Sequence, residues 1–203
     1  MTEQEAFWQG EFGDAYVDRN DSPAWVAQNA ALFVKALSRA GRIDSLIEFG
    51  TNRGLNLLAL RQILPHCRLS GVELNAKAHA AVSQLGIADV WQGSVYDYPI
   101  REQFDLSLIK GVLIHLAPER LPDAYAKLYE ASRRWILLAE YYNPTPVEIQ
   151  YRGHSGKLFK RDFAGEMLDR YPGLTLADYG FCYRRDPIFP ADDANWFLLE
   201  KRQ

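Results

Sequence analysis

Ser45-Leu-Ile-Glu-Phe-Gly-Thr-Asn-Arg-Gly54 is the stretch that decides the fold. The short apolar run from Ile43 to Phe49 reads as a buried strand. It ends in Glu48-Phe-Gly50-Thr-Asn52-Arg-Gly54. A helical pattern follows at once, with Leu55, Leu58, Ala59 and Leu60 before Pro65 stops it. A strand, a glycine turn and a helix in succession bring backbone N–H groups close to a ligand. Gly50 suits the tight backbone of such a turn, and Gly54 lets the chain approach without a Cβ. Asn52 stands where a positive φ is needed, which Asn tolerates better than most residues.

A second strand, Cys67 to Glu73, follows about twenty residues later. An acid at its end, followed by Leu74, suits a grip on both hydroxyls of a ribose, because a carboxylate accepts the two hydrogen bonds that a diol donates. The turn and Glu73 together point to an adenosine-type cofactor. The dinucleotide spacing Gly-x-Gly-x-x-Gly fails, since Asn52 and Leu55 occupy its second and third glycine positions, and no Gly-Lys-Ser/Thr follows to make a phosphate loop. What remains is Glu-x-Gly-x-x-x-Gly. That pattern resembles the first motif of the class I S-adenosylmethionine-dependent methyltransferases, with Glu48, Gly50 and Gly54 matching and Asn52 standing for a commoner glycine. The resemblance implies S-adenosylmethionine as cofactor.

The remaining chain is consistent with one globular unit. Its 203 residues are enough for a single domain with a full core. A net charge of −3 argues against a general nucleic-acid binder. Cys67 and Cys182 make no disulfide framework, and Cys67 reads as a small core residue. No stretch reaches the length of a membrane span, and the first residues are acidic rather than basic and apolar, so a cytoplasmic protein is expected. No metal is expected.

Residues 1–40 read as an arm and a helix that form a lid, and 41–203 as an α/β core. Glu3, Glu5, Glu11, Asp14, Asp18 and Asp21 alternate with Phe7, Trp8, Phe12 and Tyr16 in the arm. Tyr16 and Arg19 are candidates to face the cofactor carboxylate or the substrate, since guanidinium suits a planar carboxylate. Ser22-Pro23 predicts a helix start with Ser22 as cap, and Trp25, Leu32, Phe33, Ala36 and Leu37 as its inward stripe. Asn75 predicts a cap for a helix through Gln84. Ile87 to Gln92 is a third strand. Gln92-Gly-Ser94-Val95 follows, where methyltransferases commonly place an acid that takes the adenine amino group; here Ser94 stands in that place, with Val95 against the base.

Phe104 to Gly111 reads as the fourth strand, and Lys110 and His115 leave its carboxyl end, the side on which open α/β sheets bind ligands. His115 is a candidate base, or a loop-ordering group bonded to backbone. A helix is predicted over Glu119–Arg133, a fifth strand over Trp135–Ala139, and a substrate loop over 141–161. That loop carries Arg152, His154, Lys157, Lys160 and Arg161 within or beside it, a set that suits an anionic acceptor. Asp162 caps a helix over Phe163–Tyr171. Leu174–Tyr183 and Asn195–Glu200 form two last strands joined without a helix, so they must pair antiparallel. The expected fold is therefore α/β and Rossmann-like: a seven-stranded, mostly parallel sheet with an antiparallel last strand and helices on both faces.

Phe7-Trp8, Phe12-Gly-Asp-Ala-Tyr16, Lys110-Gly-Val-Leu-Ile-His115, Glu140-Tyr-Tyr-Asn143-Pro-Thr-Pro-Val-Glu148 and Tyr151-Arg-Gly-His-Ser-Gly-Lys157 resemble the pseudaminic-acid-biosynthesis-associated methylases over nearly the whole chain. That resemblance implies a nonulosonic-acid or nucleotide-sugar acceptor. Glu140, Tyr142, Asn143 and Tyr151 are then candidates to orient the acceptor, with His115 or Glu140 as base. The alternatives are a different small-molecule, peptide or protein acceptor, or a cofactor-binding scaffold without catalysis.

Overall fold

A computed structural model describes residues 1–20 and 22–202, so Asp21, counted among the acids of the arm, lies outside the described residues. The elements run α1 (Glu3–Gln9), α2 (Glu11–Arg19), α3 (Pro23–Ala36), β1 (Ser45–Phe49), α4 (Leu55–Ile63), β2 (Arg68–Glu73), α5 (Ala76–Gln84) and β3 (Asp89–Gln92). Then follow β4 (Phe104–Lys110), two 3₁₀ turns (Leu113–His115 and Pro118–Arg120), α6 (Leu121–Ala131), β5 (Ser132–Glu140), β6 (Val147–Glu148), β7 (Phe159–Lys160), α7 (Phe163–Arg170), β8 (Leu174–Cys182) and β9 (Ala194–Lys201). The main sheet has seven strands in the order β3-β2-β1-β4-β5-β9-β8. β1, β2, β3, β4 and β5 pair parallel, whereas β9 runs antiparallel to both β5 and β8. The expected fold class, including the antiparallel end, is what forms.

Side-chain alternation along the central strands separates two cores. Ile47, Phe49, Ile109, Ile136 and Leu138 face Leu121, Tyr125, Leu128, Phe163 and Met167 of α6 and α7. Leu46, Leu108, Leu137 and Leu198 face Phe33, Leu57, Leu60 and Val82 of α3, α4 and α5. All five residues of β1 are buried, as a strand covered on both faces requires. Glu48 shares the face of Leu46, the face that α4 covers.

Caps explain several helix starts. Asn75 accepts the N–H of Ala78 and Asp162 that of Gly165, as the sequence indicates. Thr2 and Glu5 close a reciprocal capping box on α1. Ser22 makes no side-chain cap, and α3 begins on Pro23 with its preset φ instead. Trp25, expected inward, is 39% exposed.

Two expectations give way to tertiary pairing. The helix predicted to Arg133 ends at Ala131. Ser132 pairs with Phe104, its hydroxyl donates to the Trp135 carbonyl at 2.8 Å, and Arg133 pairs with Asp105 at 3.0 Å. The segment 141–161, expected as a loop, carries the hairpin β6–β7. Two residues on each strand suffice once Phe159 and Lys160 supply the partner.

Candidate active site

A cavity of about 570 Å³ opens over the carboxyl ends of β1, β2 and β4. Core residues Gly50–Arg53, Glu73–Asn75, Ser94–Val95, Lys110–Val112 and His115 line it. The arm contributes Glu5, Trp8 and Tyr16, α3 contributes Trp25, Gln28 and Asn29, and the β8–β9 connection contributes Arg184 and Asp192. Strands of one parallel set end together, which is why residues far apart in sequence meet here.

The glycine turn is held from below. The N–H groups of Gly50 and Thr51 donate to the Val72 carbonyl at 2.8 and 3.2 Å. Gly50 has φ +83°, and a Cβ there would sit 2.4 Å from Val112 Cγ2. Asn52 adopts φ +48°, the left-handed shape expected of it. Gly54, at φ +82°, serves packing rather than approach to a ligand: an added Cβ would meet Val82 at 2.7 Å and Leu85 at 2.9 Å. Its expected role in admitting a ligand thus becomes one of seating α4 against α5.

Glu73 lies at the end of β2, 8% exposed. Its two oxygens accept the N–H of Asn52 at 2.6 Å and of Asn75 at 2.8 Å. Burial raises its pKa, and these N–H donors oppose the rise. Each oxygen keeps a further acceptor site. Asn75, legible in the sequence only as a cap, also donates to the Trp8 carbonyl at 3.2 Å and to Asp14 at 2.8 Å, and so ties the arm to the end of β2.

Glu48 is fully buried beneath the turn and accepts the Asn56 amide at 2.6 Å. Burial lifts its pKa to about 8 against the pull of Asn56 and Lys110. Glu48 Oε2, Asn56 Oδ1 and Asn52 Oδ1 are buried acceptors without a donor among the described residues. The two amide oxygens, on the cavity lining, are costly unless a ligand donates to them, whereas Glu48 with its raised pKa holds a proton at pH 7.

His115, 8% exposed, sits in the turn after β4 with Nδ1 2.6 Å from the Lys157 carbonyl. A carbonyl only accepts, so Nδ1 carries the proton and Nε2 keeps the lone pair. Burial lowers its pKa to about 4, despite that hydrogen bond, so the ring is neutral at pH 7. Glu140 does not reach the cavity wall. Its Oε1 accepts the N–H groups of Val112 and Leu113, both at 3.0 Å, and holds the turn that carries His115. Burial, opposed by those donors, sets its pKa near 7.

The other expected acceptor residues also stand off the wall. Tyr142 is 38% exposed and bridges to Arg161. The Asn143 amide folds back onto the Thr145 carbonyl at 2.6 Å. Tyr151 packs its ring 4.9 Å from His115 and 5.9 Å from Phe12. Arg19 is exposed with its guanidinium over the rings of Phe12 and Tyr16 at 5.5 and 5.9 Å, so it braces the arm, while Tyr16 lines the cavity.

The basic groups of 141–161 are engaged elsewhere than in the cavity. Lys157 is buried and paired with Glu3 of α1, and Arg161 pairs with Glu166 at 2.6 Å. Lys160 lies over the Tyr141 ring at 5.3 Å, Arg152 over Tyr151 at 5.9 Å, and His154 packs 5.0 Å from Phe7. This segment therefore clasps the arm. Among the described residues, the cations at the cavity are Lys110, Arg53 and Arg184. Arg53 belongs to the turn that the sequence already places at a strand end, whereas sequence spacing carries no signal for Arg184, which only the fold brings there.

No protein-family model and no curated protein matches the sequence. Solved structures do match in fold. The 1,6-didemethyltoxoflavin-N1-methyltransferase of Burkholderia thailandensis, with bound 1,6-didemethyltoxoflavin and S-adenosylhomocysteine, superposes with a TM-score of 0.74 at 16% identity, over 99% of this chain and 90% of that one. The magnesium protoporphyrin IX methyltransferase of Synechocystis with bound SAM gives 0.71 at 11%, over 99% and 98%. The N-methyltransferase NodS of Bradyrhizobium japonicum with S-adenosylhomocysteine gives 0.67 at 15%, over 93% and 98%. The sheet order, the antiparallel end and these superpositions together give the chain the Rossmann-like fold of the class I methyltransferases.

Proposed function

We propose that this chain is a cytoplasmic S-adenosylmethionine-dependent methyltransferase of a small anionic acceptor, a nonulosonic acid or nucleotide sugar bearing an amine or hydroxyl. The observation that carries the cofactor is the set of open acceptors in one cavity. Glu73 retains acceptor capacity for a ribose diol, and Asn52 Oδ1 and Asn56 Oδ1 lack donors that an α-ammonium group supplies. Val95 offers an apolar wall for adenine. Lys110 at the cavity supports the anionic acceptor, and the wider sequence resemblance supports its sugar class.

Bound there, the cofactor supplies an electrophilic methyl group on a sulfonium. The chain's own residues align the acceptor with it and exclude water. Trp8, Tyr16 and the arm cover the cavity mouth. Neutral His115, held through Nδ1, presents Nε2 as the group that takes a proton from a hydroxyl acceptor. An amine acceptor needs only its lone pair.

Calorimetry of S-adenosylmethionine and of NAD on wild type and on Glu73→Ala tests the cofactor. Loss of the diol bonds costs about 2–4 kcal/mol, some tens- to several hundred-fold in affinity. Binding of S-adenosylmethionine that weakens by this factor in the variant, with no NAD binding, is expected. No S-adenosylmethionine binding by wild type removes the proposal.

A further inference from the structure

Glu5 belongs to the arm, outside the sheet, yet it is 7% exposed and lines the cavity with Ser94 and Val95. Its carboxylate accepts the Thr2 N–H at 2.6 Å, and Ser94 beside it helps to draw its pKa down. Ser94 Oγ in turn accepts the Tyr96 N–H at 3.2 Å. One lone pair of the Ser94 hydroxyl is thus taken. At this end of the cavity the strong acceptor is the carboxylate, not the hydroxyl that the sequence places after Gly93.

We propose that Glu5, reaching in from the arm, is the residue that accepts a hydrogen bond from the exocyclic amino group of adenine and so selects the base of the cofactor. The inference rests on the cofactor reading above. A carboxylate has about four acceptor sites, so the Thr2 donor leaves room for a ligand N–H. Burial alone would raise the Glu5 pKa, but the hydrogen bonds of Ser94 and Thr2 outweigh it and keep the group ionised at pH 7. An ionised carboxylate attracts an amino group and repels a carbonyl oxygen in the same place. The protein should therefore reject hypoxanthine, which has oxygen where adenine has the amino group. Because Glu5 rides on α1, an adenine ligand also fastens the arm over the site.

The test measures binding of S-adenosylhomocysteine and its 6-oxo analogue, S-inosylhomocysteine, by calorimetry. Wild type should prefer the adenosine compound by about 100-fold, the scale of a lost hydrogen bond to a charged group. Glu5→Gln, whose amide can turn either its donor or its acceptor to the base, should reduce that preference to a few-fold. Thr2→Ala removes the cap but keeps the carboxylate and should retain the preference. Amide exchange in residues 3–19 should slow with the adenosine compound and not with the 6-oxo analogue. An undiminished preference in Glu5→Gln overturns the proposal and leaves Glu5 a helix cap. A preference lost in Ser94→Ala and kept in Glu5→Gln overturns it in favour of the hydroxyl. Wild type that binds both compounds equally refutes the base selection alone, whereas wild type that binds neither refutes the cofactor reading itself.

Discussion

Replacing Glu140 with glutamine should change how stability depends on pH while leaving the turn below His115 in place. Glu140 Oε1 accepts two N–H groups at 3.0 Å, and Oε2 is buried with no donor among the described residues. Burial is the leading cause that holds its pKa near 7 rather than 4.5. Between these two values the folded chain binds more protons than the unfolded one, so stability falls as pH rises through the window. The displacement corresponds to about 3 kcal/mol, present in full below pH 4.5 and lost above pH 7. In Glu140→Gln the amide keeps one carbonyl oxygen for Val112 and Leu113 and has no charge to bury, so it resembles the protonated acid. Urea unfolding of both proteins at intervals from pH 4.5 to 8 gives the difference in stability at each pH. Other titrating groups cancel in that difference, including His115, whose lowered pKa acts in the opposite sense between pH 6.5 and about 4. Wild type minus variant should fall by about 3 kcal/mol across the series. A flat difference, or one that grows with pH, would falsify the account of Glu140 as a buried, nearly neutral bracket. Glu140→Ala should be worse at every pH, because two buried N–H groups lose their acceptor at about 1–3 kcal/mol each.

His115→Asn keeps an N–H for the Lys157 carbonyl but removes Nε2, so kcat on a hydroxyl acceptor should drop about 100-fold or more with little change in Tm; an unchanged kcat removes His115 as base. Binding of S-adenosylmethionine at pH 7 should release up to one proton, because an ammonium beside Glu48 lowers a pKa that stands near 8; calorimetry in buffers of different ionisation enthalpy reads it, and proton uptake would contradict the assignment. Gly54→Ala should cost about 2–4 kcal/mol in a thermal melt, from a left-handed φ together with contacts of 2.7 and 2.9 Å on α5 and its cap. Glu3→Ala should loosen the arm more than Lys157→Met, since Lys157 is the buried partner and is left unpaired; amide exchange in α1 that is equal in the two variants would refute this ordering.

The sequence by itself determined the order along the chain of the seven strands of the main sheet. Apolar runs, glycine punctuation and cap residues are local signals, and β1, the turn from Gly50 to Gly54, and the caps at Asn75 and Asp162 formed where those signals placed them. The absence of a helix between the last two strands was enough to fix their antiparallel pairing. Only the tertiary structure decided which charged groups face the cavity. Lys157 and Arg161 look free along the chain but meet Glu3 and Glu166 in space, and Glu140 turns out to hold backbone N–H groups. Glu5 looked like one acid among several in a surface arm, yet packing of α1 buries it beside Ser94. Secondary structure follows from interactions a few residues apart, which a sequence displays. The charge state and partners of a buried group depend on neighbours distant in the chain, which only packing assembles.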